Sequence, residues 1–342
     1  MEFHYTPPQN PIEEMFGGFF CINAVGKIYP GDDAKFQKFL EANSPPPRCT
    51  VYIDSSGGDV DAAMQIGRII RGAWFSTSIG QYRLDFDKIN ETPILHRKKL
   101  TGSCMSAATL MYLGGRLRYF DDESTFGVHQ FNFPSENGDE IPRYFLAKSQ
   151  TLSARISEYV EEMGVSLRFL IISSSTPSDQ MLTVSRSELE QIGVVTGGET
   201  AVKWTVEARN GMSYVKGEQD TLFGHHKVML CYNKECGFMF WAVIESQGRA
   251  KELLGHSLVE IVMNNETIRY DISSRVDRAE NGIYVNVLAQ ISEDEARQIA
   301  LSDNFGVQIR MSHEAGMFLG VRGMDTTEGK SKLGTFFDNH SR

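Results

Sequence analysis

The sequence predicts two architectures in one chain of 342 residues: an α/β domain of β-α-β units up to residue 203, then a mostly antiparallel, sandwich-like β domain over 204–342. Three observations lead there. In the first part, apolar stretches of strand length alternate with segments whose apolar residues recur at helical spacing, the pattern of right-handed crossovers and a largely parallel sheet. In the second part, strand-length stretches follow one another with turn residues between them. A composition of 41% hydrophobic and 23% charged residues, over this length, is enough to fill two cores.

Residues 1–17, with Pro7, Pro8 and Pro11, read as an extended arm before the domain proper. Residues 18–28 read as a strand, and Ala34, Phe36, Phe39 and Leu40 set a helix over 31–40 that Ser44-Pro-Pro-Pro47 stops. The apolar strand Thr50-Val-Tyr-Ile53 runs into Asp54-Ser-Ser-Gly57-Gly58, a turn. Val60, Ala63, Met64, Ile66, Ile69 and Ile70 then line one face of a helix from Asp59 to Arg71. Residues 74–79 form the next strand. The polar stretch 81–99, with Arg83, Asp85, Asp87, Lys88 and Glu91, reads as an insertion with a solvated face that could cover or gate a site. Ala107-Ala-Thr-Leu-Met-Tyr-Leu113 is apolar enough to be a buried helix, and Thr125-Phe-Gly-Val128 a strand ending in His129. A surface loop over 134–140 precedes a long amphipathic helix, 141–163, ended by Gly164.

In the second part, residues 227–232, 238–244, 257–263, 267–272, 284–288 and 307–311 read as strands. Ser292 and Glu295 form a capping box for a helix to Leu301, and a short helix spans 326–338. Phe238, Phe240 and Trp241 fall at strand spacing, which makes them core residues before a ligand box.

A formal charge of −10 argues against a general nucleic-acid or anionic-membrane surface. No run of 18 apolar residues implies a membrane span, and Met1-Glu-Phe-His-Tyr-Thr-Pro-Pro lacks the features of a signal peptide. The expectation is a cytoplasmic protein, although a chain shorn of a leader would read the same. Cys21, Cys49 and Cys104 lie in or beside apolar segments and read as buried thiols. His225, His226, Cys231 and Cys236 have a spacing looser than a zinc knuckle and no second cysteine pair. Free cysteines flanking a hairpin are expected there in preference to a metal site or a disulfide.

Chemistry concentrates between residues 51 and 130. Ser106 stands where a polar stretch meets the buried helix, at a helix N-terminus whose unpaired N–H groups favour negative charge. A serine hydroxyl needs a base within hydrogen-bond reach, and its oxyanion needs N–H donors. Ala107 supplies one donor, and the turn at Gly57 or Gly58 can bring bare backbone close to a substrate for another. His129 is the candidate base. Alone, Ser106 would be a helix cap and His129 a core histidine; together with the glycine turn they read as a nucleophile and its base.

The order Asp54-Ser-Ser-Gly-Gly-Asp-Val60, then Ser106-Ala-Ala-Thr-Leu110, then Val128-His-Gln130 resembles the proteolytic subunit of Clp protease and the wider Clp/crotonase superfamily. The resemblance covers about residues 18–198, and the 23-residue spacing from Ser106 to His129 fits it. It implies a ClpP/crotonase-like superhelical domain and a serine-type endopeptidase. It also implies a third triad member before a Leu-Thr segment, at Asp179 in Ser178-Asp-Gln-Met-Leu-Thr183. It further implies a homo-oligomer paired through the long helix, a peptide or protein substrate, an unfoldase as a possible partner, and no metal or organic cofactor. Two departures stand out: Ser56 replaces the family's proline, and residues 81–99 are inserted. Three other readings remain open: a crotonase-type acyl-CoA enzyme, a serine-lysine peptidase using Lys98 or Lys99, and a non-catalytic scaffold whose β domain binds a partner.

Overall fold

The structure is a computed structural model that describes residues 1–16, 19–86, 93–131 and 143–341, without the side chains of 16 and 143–148. Expectations for Asp87, Lys88 and Glu91, for the loop 134–140 and for the first residues of the long helix lie outside the described residues. The chain is mixed α/β with several antiparallel sheets, and it divides into two compact units, Met1–Gly198 and Glu199–Arg342.

The first unit opens with β1 (Glu2–Thr6), which corrects the expectation of an extended arm. β1 pairs antiparallel with β2 (Cys21–Val25), and Phe3 packs on Phe36 at 4.7 Å between ring centroids. The alternation of Phe3 and Tyr5 was the strand signal; the prolines act only after it. Pro11 opens a short helix, α1 (Pro11–Phe16), capped by Asn10 Oδ1, which accepts from the Ile12 and Glu13 N–H groups at 3.0 Å each.

The chain continues through α2 (Asp32–Asn43), β3 (Thr50–Asp54), α3 (Val60–Gly72) and β4 (Ser76–Ile79). β2, β3 and β4 are parallel, and β8 (Arg118–Tyr119) joins them at the far edge, giving the order β1-β2-β3-β4-β8. Val51, Ile53 and all of β4 are buried, as expected for strands covered on both faces. Asp59 caps α3 by accepting from the Ala62 N–H at 2.8 Å, and Ala63, Met64, Ile66 and Ile70 fill its core face.

Within the insertion, β5 (Gln81–Leu84) and β6 (Arg97–Leu100) form a hairpin ladder. Its returning strand is fixed to α1 by a largely buried pair, Arg97 Nη2 to Glu13 Oε2 at 2.8 Å and Arg97 Nη1 to Glu13 Oε1 at 3.0 Å. The Arg97 guanidinium and two backbone N–H donors, from Gln9 and Leu95, outweigh burial and pull the Glu13 carboxyl down to about 2.

A second, three-stranded sheet carries the candidate site: β7 (Ser103–Met105) runs parallel to β9 (Thr125–Val128), and β10 (Leu182–Thr183) runs antiparallel to β9. An isolated bridge from Ser55 to Cys104 fastens β7 to the end of β3. Between β7 and β8 lies α4 (Ala107–Leu113), buried along its whole length. After β9 come α5 (Arg143–Glu162), α6 (Arg168–Ser174) and α7 (Arg186–Gln191). α3, α4 and α5 meet where Tyr159 Oη donates to the Leu110 carbonyl at 2.7 Å; a Cβ on Gly67 would lie 1.8 Å from that hydroxyl. Arg118, buried, donates to the carbonyls of Val194 (2.8 Å), Gly115 (2.9 Å), Gly193 (2.7 Å), Leu113 (3.2 Å) and Met163 (3.4 Å), neutralising the carboxyl ends of α4 and α5.

The second unit is built from β11 (Lys203–Arg209), β12 (Met212–Thr221), β13 (Gly224–Asn233), β14 (Gly237–Glu245), α8 (Ala250–Gly255), β15 (Leu258–Met263), β16 (Ile268–Asp271), β17 (Val276–Asn281), β18 (Tyr284–Gln290), α9 (Glu293–Leu301), β19 (Asn304–Arg310), β20 (Leu319–Asp325) and α10 (Lys330–His340). Two antiparallel sheets result, one of six strands ordered β11-β12-β13-β14-β18-β17 and one of four ordered β16-β15-β19-β20. They share one core, where Phe305 of the smaller sheet meets Trp204 and Phe240 of the larger at 5.8 and 6.4 Å. The unit begins at Glu199, ahead of the expected 204, because a bridge from Glu199 to Thr221 and a bond from the Thr200 N–H to the Asp220 carbonyl extend the larger sheet backwards. The sequence reading passed over β11, β12, β17 and β20. Asn210-Gly211, a two-residue turn with φ of 52° and 76°, was an available hairpin signal for the first two. Phe238 and Phe240 lie in the core, whereas Trp241 faces the other side and donates to Asn286 Oδ1 at 3.0 Å.

Candidate active site

Ser106 sits on the turn between β7 and α4 with φ 53° and ψ −127°, backbone angles that a side-chain-bearing residue rarely adopts. Its N–H donates to the Gly127 carbonyl at 2.9 Å, so the turn is pinned to the strand that delivers the histidine. This strand-turn-helix geometry lifts the hydroxyl out of the sheet and turns it toward the end of β9. There His129, half-buried, accepts the Ser106 hydroxyl on Nε2 at 2.6 Å. On the other side of the ring, Nδ1 lies 2.9 Å from the Ser178 carbonyl. A carbonyl oxygen can only accept, so the proton is on Nδ1 and Nε2 presents a lone pair to the serine. This is the tautomer in which histidine can take a proton from Ser106.

The glycine turn reaches the same place. A Cβ on Gly57 would lie 2.7 Å from the Met105 carbonyl, 2.9 Å from Ser106 Cβ and 3.1 Å from the Ala107 nitrogen. Bare backbone is therefore a steric requirement beside the nucleophile. The Gly57 N–H donates to Ser55 Oγ at 3.1 Å. Gly58 bridges Ile28 through the residues on either side of it, the Gly57 carbonyl and the Asp59 N–H, which turns its own N–H away from Ile28. Gly58 is exposed, and the Ala107 N–H lies in the first turn of α4, where it has no partner within the helix.

Asp179 is not brought onto the imidazole. Its side chain is exposed, and among the described residues it forms neither a hydrogen bond nor an ion pair with His129. Of the aspartates crowding the glycine turn, Asp59 is the helix cap described above. Asp54 is half-buried and accepts from Gln81 Nε2 at 2.7 Å and the Ser103 N–H at 3.1 Å, so it braces β7. Lys99 is ion-paired with Asp121 and its amine lies 5.7 Å from the Tyr52 ring; Lys98 is exposed on the hairpin.

Three groups at the site escaped the sequence reading: Ser55 Oγ, the Gly127 carbonyl and the Ser178 carbonyl. Two of them are main-chain atoms, which residue identity does not signal. All five cysteines are free, Cys231 is buried with its thiol pushed up to about 12, and Cys236 is exposed on the β13–β14 turn. Among the described residues no group of three histidine, cysteine or carboxylate side chains is placed to hold a metal ion, and no helix is long and apolar enough to cross a membrane.

Comparison with known proteins gives a weak relation to a ClpP fold. The chain is similar to the solved structure of a ClpP1 point mutant from Listeria monocytogenes, with 20% identity and a TM-score of 0.35, over 51% of this chain and 86% of that chain. No family model and no curated protein matches. A likeness at that TM-score carries no argument, and the chemistry of the site rests on its own geometry.

Proposed function

We propose that the first unit is a serine-type endopeptidase in which Ser106 is the nucleophile and His129 the general base. The observation that carries this reading is the 2.6 Å hydrogen bond from Ser106 Oγ to His129 Nε2, made at a strained strand-helix turn. Strain of this kind costs about 1–3 kcal/mol and persists where the surrounding structure imposes it, as at nucleophile turns in hydrolases.

In the mechanism, His129 Nε2 takes the Ser106 proton as Oγ bonds to the carbonyl carbon of an extended peptide. The oxyanion rests on the N–H groups of Gly58 and Ala107, with Gly57 holding the turn open. The imidazolium gives its proton to the departing amine, leaving an acyl-enzyme. Water, deprotonated by the same nitrogen, then bonds to the acyl carbon, and the imidazolium returns its proton to Ser106 Oγ as the Oγ–C bond breaks and the acid leaves. Exposed backbone at Gly58, on the continuation of β3, suits an extended chain better than a compact ligand. The family resemblance of the motifs adds the expectation of a homo-oligomer, which is part of the proposal; Asp179 as third member, which the resemblance also implies, is not, because the Ser178 carbonyl holds that place on Nδ1.

The test is hydrolysis of a fluorogenic peptide-amide library by the full chain, compared with Ser106→Ala and His129→Ala. Cleavage by the intact chain that falls about 10⁴-fold or more in both variants supports the reading. Cleavage that survives Ser106→Ala would overturn it.

A further inference from the structure

Resting on the reading of Ser106 and His129 as nucleophile and base, we propose that the His129 ring is positioned by the main-chain carbonyl of Ser178, so that the site works as a serine-histidine dyad and the Asp179 carboxylate is dispensable. A general base needs the right tautomer and the right ring plane. Either a carboxylate or a carbonyl on Nδ1 can supply both. Here a carbonyl holds that place at 2.9 Å.

The carbonyl is itself held. Just before it, the Gln130 N–H donates to the Thr176 carbonyl at 2.9 Å and Gln130 Nε2 to the Ser174 carbonyl at 2.8 Å. Just after it, the Gln180 N–H closes a turn onto the Pro177 carbonyl at 3.0 Å, and Leu182 and Thr183 pair with Val128 and Gly127. Both flanks of Ser178 are thus fastened to the strand that carries His129, so the acceptor and the ring move as one piece. Asp179 lies at the outer corner of the turn, with its carboxylate in solvent. A neutral acceptor so placed fixes the proton on Nδ1 without burying an ion, and it needs no side chain.

Asp179→Asn and Asp179→Ala test this, measured in the full chain by the rate of fluorophosphonate labelling and by the ¹⁵N shifts of the His129 ring. Both variants are expected to label within about threefold of the parent, with the Nδ1–H tautomer retained. If a carboxylate were the positioning group, removing it would cost about 10⁴-fold. A loss of that size, or a shift of the ring toward the Nε2–H tautomer in the variants, would overturn the proposal while leaving the hydrolase reading standing. If the intact chain does not label, the hydrolase reading fails, and the ring tautomer in Asp179→Ala alone decides the positioning: Nδ1–H supports the carbonyl and Nε2–H excludes it.

Discussion

Substituting Gly57 by alanine probes the closest approach in the site. The residue has φ +97°, and an added methyl would meet the Met105 carbonyl at 2.7 Å, Ser106 Cβ at 2.9 Å and the Ala107 nitrogen at 3.1 Å. Two of these are backbone atoms, which cannot rotate away. The strain of a left-handed alanine is about 1–2 kcal/mol, and the overpacking adds about 1–3 kcal/mol. Gly26 supplies the control, because its φ is +94° and a Cβ there has nothing within 4 Å. Gly26→Ala therefore carries the strain alone. Chemical denaturation is expected to show Gly57→Ala about 1–3 kcal/mol less stable than Gly26→Ala. Peptidase activity measured on the folded fraction should fall about 10²–10³-fold for Gly57→Ala, the cost of misplacing an oxyanion donor, and hardly at all for Gly26→Ala. If the two variants were equal in both stability and activity, the glycine turn would not be packed against the nucleophile and the oxyanion assignment would be wrong.

The Glu13–Arg97 pair gives a pH dependence of known sign. With the carboxyl held at about 2 in the folded chain against an ordinary 4.5, its stabilisation is complete above about pH 4.5 and is lost as pH falls toward 2. Glu13→Gln strands a buried guanidinium and should cost about 3–5 kcal/mol at pH 7 by urea denaturation, a difference from the parent that narrows toward pH 2. Arg118→Met removes the donor shared by five carbonyls and is expected to cost at least about 3 kcal/mol by the same measurement. Ser292 and Glu295 form the reciprocal capping box of α9, so Ser292→Ala should lower stability by about 1 kcal/mol; no measurable change would show that the cap is redundant.

Much of this could be read from residues wherever one physical signal dominated. The buried helix after Ser106 and the capping box at Ser292 followed from local chemistry that tertiary structure had no reason to override. The serine and the histidine were legible because they sit at the junctions of apolar segments. β1 was misread because three prolines just beyond it outweighed the alternation of Phe3 and Tyr5. β17, Val276-Asp-Arg-Ala-Glu-Asn281, is an edge strand with little to bury, so its polar sequence resembled a loop. What stands on Nδ1 of His129 was beyond sequence reading altogether, since the acceptor is a carbonyl whose direction depends on the turn at 177–180. Asp179, one residue further on, carried the recognisable side chain, while Ser178 carried the contact.

The proposed chemistry turns on His129 making Ser106 nucleophilic. This is read from the mass of the full chain after treatment with a fluorophosphonate, followed by peptide mapping. One adduct is expected, on Ser106, absent in Ser106→Ala and slowed at least about 10³-fold in His129→Ala. An adduct on another serine, or labelling of Ser106 that is indifferent to His129, would show that the pair is not a nucleophile and its base.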